Sequence, residues 1–334
     1  MKVLMIGGTG QLGHFVLKHL ARAGHDCLAV GVGEPPEPGF LPEGVAVRRC
    51  DTQAASSDEL AQLLRGVDVV IHAAGADGRN LFARPALAHF RAANVQPVER
   101  LVSAMRRCGS RRLVILGSYY TAMARMHPGL GLADKSAYIA SRLEQNRVAI
   151  AAAGDEVAVG VLELPYIFGA APRRGTLWGF YIEQLLAGQG ELPVHAGGSA
   201  CITMNQVGIA AAHLCERLDG HRNHPIGSMN LKYAQIFGLF ARHLGVSRPI
   251  VPREPAFFED GARRQAEALH KKGLESAYDP LGLLDIEHAD LFIDPLPAMQ
   301  ALDFGSEDID AAIGESVAAT RRYQGQSPGA RGAA

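Results

Sequence analysis

The chain has 334 residues, 48% of them hydrophobic and 20% charged, with 33 basic against 34 acidic side chains and a formal net charge of −1. That length allows one large or two ordinary domains with an ample core. The balanced charge excludes the electrostatic footprint of a duplex-DNA or anionic-membrane binder. Glycine is the outlier: the chain has 38 where average usage gives roughly 23, an excess that points either to slack linkers or to tight turns.

In chain order, Val3 to Ile6 reads as a short buried strand that runs into Gly7-Gly8. Leu12, Phe15, Val16, His19, Leu20 and Ala23 follow helical spacing up to Gly24. Cys27 to Val30 is a second strand, the Pro-rich segment 33–44 a loop, and Val45 to Val47 a third strand ahead of Asp51. Ser57 to Leu64 reads as a helix whose Asp58 and Glu59 suit its positive end. A strand at Val69 to Ile71, a long helix over 87–108 with a kink at Pro97, and a strand at Leu113 to Leu116 come next. A helix from Tyr138 to Ala153 and an apolar run from Val157 to Leu164 complete this half. Continuous apolar strands alternating with helices predict a doubly wound parallel α/β sheet of the Rossmann type.

After residue 165 the rhythm weakens, and helices are expected at 177–187, 206–218, 232–244, 258–273 and 307–322. The division expected is a dinucleotide-binding domain over 1–165, to which parts of 200–232 return, and a smaller, mostly helical substrate lobe over 166–323. A low-complexity disordered tail follows at 324–334. The five cysteines form no CxxC pair and read as scattered thiols of a reducing compartment. No run approaches 18 apolar residues and the first residues are too short for a signal core, so a cytoplasmic protein without a membrane span is expected.

Gly7, Gly10 and Gly13 form a GxxGxxG, a spacing that chance alone would produce about 0.5 times in such a chain. Its position gives it meaning, because it directly follows a strand and opens a helix. There the first glycine permits the turn, the second lets backbone approach a pyrophosphate, and the third lets helix and strand pack closely. The phosphate would rest on free N–H groups at the helix start, with Thr9, Gln11 and Leu12 around it. At the end of the second strand, where an acid often meets the adenosine ribose, the chain has Gly31, with Glu34 as a displaced acid. A glycine there leaves room for a 2′-phosphate, so NADP is favoured over NAD, although no Arg follows Gly31 to bind it.

These and further landmarks resemble the extended short-chain dehydrogenase/reductase family, which contains NAD-dependent epimerases and dehydratases. GGTGQLG at 7–13 is similar to the family's TGxxGxxG, and Cys50-Asp51 to its adenine-contacting acid, with Thr52 adjacent. DVVIHAAG at 68–75 is similar to DxVIHxAA, whose small residues, here Ala73, Ala74 and Gly75, line the cofactor. Asn94 falls where the family carries an Asn, LGS at 116–118 where it carries the active-site Ser, and Tyr138 to Arg142 where it carries YxxxK. LELPYIFGAAP at 162–172 resembles RxxNxYGP and brings Pro165 and Phe168 toward the cofactor, while TMNQV at 203–207 resembles a degraded HVDDV. The resemblance implies a homodimer built through the helices near 90–107 and 138–152.

The chemistry expected at these positions follows from general acid catalysis. Reducing a ketone creates an alkoxide that needs a proton donor, and a tyrosine serves near pH 7 only beside a cation. Residue i+4 lies beside residue i on a helix, which puts Arg142 next to Tyr138. Ser118 would hold the substrate oxygen, and Arg142, which replaces the family lysine, supplies fixed charge but relays no proton easily. Tyr119, Tyr120 and His127 are reserve acids. Tyr166 and Glu163 replace the Asn and Arg of RxxNxYG, which lowers the sugar-nucleotide reading.

Tyr119, Tyr120, Tyr166 and Trp178 are the substrate candidates, with Trp178 set in an LWGFY cluster suited either to stacking on an aromatic substrate or to core packing. His221 to His224 reads as a loop without a third ligand, so no metal is called for. The arginines at 106–107 and 111–112 suit a helix C-terminus and require no nucleic acid. The expected activity is NAD(P)-dependent hydride transfer on a carbonyl or hydroxyl of a small metabolite, aromatic ones included. The alternatives are an epimerase or dehydratase of a sugar nucleotide, and a non-catalytic dinucleotide-binding protein.

Overall fold

The computed structural model describes residues 1–323; the tail expected at 324–334 lies outside the described residues. Seven parallel strands form the central sheet: β1 (Lys2–Ile6), β2 (Asp26–Gly31), β3 (Ala46–Arg49), β4 (Val69–His72), β5 (Arg112–Ser118), β6 (Ala158–Leu164) and β7 (His221–Pro225). Their order is β7-β6-β5-β4-β1-β2-β3. Every pairing along it is parallel. The strand order reverses between β1 and β4, and ligands of open α/β sheets bind outside the carboxyl ends at that point. The runs predicted from β-branched residues are buried on both faces, as at Val69, Val70 and Ile71, because helices cover each side.

The helices are α1 (Gln11–Arg22), α2 (Ser57–Leu63), α3 (86–108), α4 (Tyr120–Met126), α5 (Ala137–Ala153), α6 (Gly179–Ala187) and α7 (Met204–Arg217). Farther on come α8 (Tyr233–Leu244), α9 (Pro255–Lys271), α10 (Gly282–His288), α11 (Leu296–Ala301) and α12 (Ile309–Arg322). One face of the sheet is covered by α1 and α7 through Val16, Leu17, Leu20, Val207 and Leu214. The other is covered by α2, α3 and α5 through Leu60, Val98, Leu101, Met105 and Ala149. Fully burying side chains of this size contributes about 1.5–3 kcal/mol each.

Two features depart from the expected elements. The segment His221 to His224, expected as a loop, is the edge strand β7; it pairs with β6, and His221 Nε2 lies 2.9 Å from the Gly154 carbonyl. The kink in the long helix falls not at Pro97 but at a π-helical turn over Arg91–Val95. Pro97 follows that turn directly, at the start of the α-helical segment Gln96–Cys108.

The substrate side carries short strands between its helices. Gly198–Thr203 pairs with Met229–Lys232, Tyr166–Phe168 and Asp290–Leu291. A separate core of Phe168, Trp178, Ile182, Ile236, Phe240 and Ile313 holds this part together.

Glu163, which replaces the family arginine, is fully buried on β6 beside Gly117. It accepts a hydrogen bond from Arg125 at 2.7 Å, and the single hydroxyl proton of Thr121 lies between the Glu163 carboxylate and the Ser118 carbonyl, 2.8 Å from Thr121 Oγ1. The acid therefore anchors α4 directly behind Ser118. Removing one partner of a buried pair typically costs 3–5 kcal/mol, reduced here because Arg125 is half exposed. Glu163→Ala should therefore lose about 2–3 kcal/mol in urea unfolding at pH 7; an unchanged midpoint would refute this anchoring role.

Candidate active site

The turn between β1 and α1 is built from contacts that only glycine allows. Gly7 has φ +83°, and a Cβ on it would lie 2.8 Å from the Ala73 carbonyl oxygen; a Cβ on Gly13 would lie 2.2 Å from that of Gly8. Helix and turn are thus packed backbone to backbone. Some helices of the chain close their N-termini with side chains, as Ser56 and Glu59 do for α2 and Thr203 and Gln206 for α7, while others, such as α4 and α6, do not. The N-cap of α1 is Gly10, and no side chain caps it. The first N–H groups of a helix have no partner within it, so α1 presents donors and its positive end at the sheet's switch point. Gln11 spans the cleft through Nε2 to the Gly175 carbonyl at 2.8 Å, while its buried Oε1 has no partner. These are the features that a dinucleotide pyrophosphate fits.

Gly31 has a different cause from the one expected. A Cβ there would lie 2.2 Å from Thr9 Oγ1, so the glycine makes room for Thr9 and is no evidence for a 2′-phosphate. An arginine does lie near this point, on β3. Arg49, paired in register with Gly31, donates to the Val32 carbonyl at 3.2 Å and to Glu34 at 2.8 Å. Asp51 is exposed and accepts from the Gln53 N–H at 2.9 Å, and Thr52 beside it is buried.

The carboxyl end of β4 meets the π turn of α3 and the first turns of α5. Asn94 is fully buried: its Oδ1 accepts from the Ala76 N–H at 2.8 Å and its Nδ2 donates to the Ala76 carbonyl and to Ser141 Oγ. Gln145 Nε2 donates to the Asn94 carbonyl at 2.6 Å. The Asn94 Oδ1 also fills the space beside Gly75, which has φ +135°. Ala73 and Ala74 are half-buried beside this knot, as their small size permits.

Arg142 lies in the same knot, only 8% exposed, with its guanidinium carbon 5.4 Å from the Tyr138 ring centroid. It donates to Gln145 Oε1 at 2.9 Å and to the Ala76 carbonyl at 3.4 Å, and its buried Nε has no partner. A half-satisfied buried guanidinium is costly to leave as it stands, and a ribose hydroxyl is a group that fits it.

Burial and the charge of Arg142 push His72, on β4, down to about 4. Burial pushes Asp77 up, but the hydrogen bonds and charge of Arg79, with Arg142 adding to them, hold it below the usual range.

Ser118 ends β5, buried, with Tyr120 N–H 3.4 Å from its Oγ. Tyr138 is 8% exposed at the start of α5, and both residues stand at the carboxyl side of the sheet. Tyr119 and Tyr120 are ring neighbours at 4.6 Å, and Tyr119 reaches Tyr166 at 6.5 Å. The Tyr119 hydroxyl accepts from Ser199 at 3.0 Å, and burial raises the pKa of both Tyr119 and Tyr120, so neither is a ready acid. His127, the third reserve acid, follows α4 as its C-cap.

Phe168 does not face a cofactor: its ring is fully buried, stacked on Trp178 at 4.7 Å in the lobe core. Pro165 is buried on the same segment, and Leu12 packs against the core of the first sheet face. Trp178 belongs to that core, with Nε1 donating to the Ile167 carbonyl at 3.1 Å, and also lines a cavity.

One residue that sequence reasoning missed is Tyr278. Its ring stands between Tyr120, at 5.9 Å, and Tyr138, at 6.1 Å. The Ala277 carbonyl beside it accepts from Ser136 Oγ and from the Tyr138 N–H, which fixes the C-terminal segment over the site. No local motif marks Tyr278, because its neighbours come from more than 130 positions earlier.

The sequence model of the NAD dependent epimerase/dehydratase family matches residues 3–201, a span that takes in the turn, the Asn94 knot, Ser118, Tyr138 and Arg142. The chain belongs to that family. A 2-alkyl-3-oxoalkanoate reductase of Stenotrophomonas maltophilia (strain K279a) is 31% identical over 139 residues, which is 41% of this chain and 40% of that protein. The chain thus spans about two fifths of the length of that relative.

Three solved structures share the fold at low identity. The protein gox2253 superposes with a TM-score of 0.76 at 17% identity, over 98% of this chain and 99% of that one. UDP-glucose 4-epimerase from Bifidobacterium longum, in complex with NAD+ and UDP, gives 0.70 at 13%, over 97% and 99%. MoeE5, in complex with UDP-glucuronic acid and NAD, gives 0.67 at 17%, over 96% and 99%. Among the described residues no helix of this family member is long and apolar enough to cross a membrane, and no group of three His, Cys, Asp or Glu side chains could hold a metal.

His72 gives the site a pH signature. Its folded pKa lies below the ordinary 6.5, so its contribution to stability is present above pH 6.5 and is lost as pH falls from there toward about 4. Chemical unfolding should show up to about 3 kcal/mol of that loss, and His72→Asn should flatten the dependence in this window. A His72→Asn profile parallel to that of the native chain would contradict the assignment.

Proposed function

We propose that the protein is an NAD(P)-dependent oxidoreductase that interconverts the carbonyl and hydroxyl of a small metabolite of aromatic or otherwise apolar character. The observation that carries this reading is the Arg142 guanidinium held against the Tyr138 ring, within one buried knot beside the uncapped glycine turn. When bound, a nicotinamide dinucleotide supplies or accepts the hydride. Gly10 and the first N–H groups of α1 would hold its pyrophosphate, and the free Nε of Arg142 a ribose hydroxyl.

In the reducing direction Ser118 Oγ holds the carbonyl oxygen, and Tyr138 Oη donates the proton that the developing alkoxide requires. Arg142 supplies a fixed positive charge beside the Tyr138 ring. Because a guanidinium does not give up a proton near neutral pH, the proton that Tyr138 donates must be regained from solvent or a ribose hydroxyl rather than from residue 142. The reductase relative, whose name gives an alkyl-bearing oxo acid as its substrate, supports carbonyl reduction, whereas the epimerase fold likeness supports a transient oxidation on a sugar nucleotide.

We assign NADP as the preferred cofactor, with Arg49 leaving Glu34 to meet the 2′-phosphate; both are exposed, so the exchange costs little. The soluble, homodimeric, cytoplasmic form implied by the family resemblance is part of the same proposal, as is the division into a dinucleotide-binding part and a substrate lobe near residue 165.

Tyr138→Phe should lower kcat by about 10²–10⁴-fold while leaving the dinucleotide Kd unchanged, as measured by nicotinamide absorbance and by calorimetry. Full turnover in Tyr138→Phe would overturn the acid assignment. Arg49→Ala should weaken NADP about tenfold and leave NAD untouched, as expected for one lost charge-assisted contact. Equal weakening of both cofactors would remove the NADP preference.

A further inference from the structure

Beyond the reacting centre, the substrate side encloses a cavity of about 390 Å³ among α6, α8, α9 and α10. Its wall is mainly aromatic and aliphatic, with Tyr166, Trp178, Tyr181, Tyr233, Phe237 and Phe258 among its members, and carries two neutral polar side chains, Gln184 and Gln265. No lysine or arginine lines it, and the only ionisable pair is His195 with Glu287, 2.6 Å apart. A diphosphate is normally clamped by cations or by a helix N-terminus, and Glu287 would instead repel one.

Two of the residues that line the cavity each hold a buried polar atom without a partner. Tyr233 is 4% exposed, and its hydroxyl has Tyr166 as a neighbour but no partner at hydrogen-bond geometry. His195 Nδ1 is also buried and unpaired, while its ring packs on Phe258 at 4.1 Å. At the other end Tyr166 of the cavity wall is in ring contact with Tyr119, and the buried rings of Tyr119, Tyr120 and Tyr278 lie between it and Tyr138.

We infer that this cavity receives the uncharged apolar body of the substrate, and that the substrate class is a neutral ketone or alcohol carrying a bicyclic or similarly bulky hydrocarbon body, not a sugar nucleotide. Size supports this. An apolar cavity of about 150 Å³ takes one benzene, so the present volume corresponds to between two and three such rings. Filling it removes apolar ligand surface from water, and the Tyr233 hydroxyl is the directional contact assigned to orient the body. Phe180, which lines the cavity and is 65% exposed, gives it an apolar mouth. The inference rests on the oxidoreductase reading for the position of the carbonyl, but not for occupancy of the cavity.

Trp178 is the chain's single tryptophan and lines this cavity, so occupancy can be read without turnover. The probe is 2-decalone, a neutral bicyclic ketone that does not absorb where tryptophan emits, titrated into the full chain in parallel with UDP-glucose. A saturable change in Trp178 emission with 2-decalone and none with UDP-glucose supports the assignment. So does a roughly tenfold weaker response in Tyr233→Phe, the loss of one hydrogen bond. Phe180→Asp, at an exposed position that does not endanger the fold, should weaken it as well.

The assignment is overturned by a saturable response to UDP-glucose that 2-decalone cannot displace, or by no response to 2-decalone. An emission change retained in a protein that never oxidises NADPH with 2-decalone supports the cavity assignment and removes the redox reading. Turnover of 2-decalone whose KM is the same in Tyr233→Phe and Phe180→Asp as in the native chain overturns the cavity assignment and leaves the redox reading standing.

Discussion

A buried guanidinium organises this candidate site. Arg142 cannot lose its charge, so the fold must neutralise or hydrogen-bond it where it lies. It does so incompletely, with one side-chain amide, one long contact to a carbonyl, and an aromatic face. The same charge helps to keep His72 neutral and Asp77 ionised. These neighbours come from α5 itself, from β4 and from the loop that follows β4, so the site's electrostatics and the packing of β4 against α5 are one problem with one solution. The Nε that remains unpaired marks where that solution is left open to a ligand.

The π turn in α3 is part of the same solution. Inserting an extra residue frees backbone groups, and here the Asn94 carbonyl is taken by Gln145 from α5. The turn aims Asn94 at both backbone groups of Ala76 and so fixes the loop after β4. Such turns are found mostly at functional sites, because their cost is tolerated only where the altered geometry is used. Behind Ser118, Glu163 performs an equivalent task from the neighbouring strand, holding α4 through Thr121 and Arg125. The departures from the family pattern at positions 142 and 163 are each matched by a local set of partners.

What was legible in the sequence was what local pattern encodes. Strands such as Val69 to Ile71 and the helix opening at Gly10 follow from apolar runs and from turn chemistry, and the glycine turn could be assigned because its context was local. Gly31 misled because its cause, the Thr9 side chain, lies on another strand-end loop and leaves no trace nearby. Phe168 misled for a similar reason, since a ring two residues from a half-exposed Tyr166 gives no sign of which neighbours it will stack on. Tyr278 and the cavity wall were invisible because they are assembled from segments between 166 and 287 that meet only after folding. His221 to His224 reads as a loop by composition, yet β6 offered an open edge that its backbone could pair with.

The most direct test of the account is single-turnover transfer of deuteride from 4-deuterated NADPH to 2-decalone, followed by mass spectrometry of the alcohol. The account predicts one deuterium at the former carbonyl carbon with the native chain, and a transfer rate in Tyr138→Phe lower by about 10²-fold or more. Absence of deuterium from the product, or equal transfer rates in the native chain and in Tyr138→Phe, would contradict it.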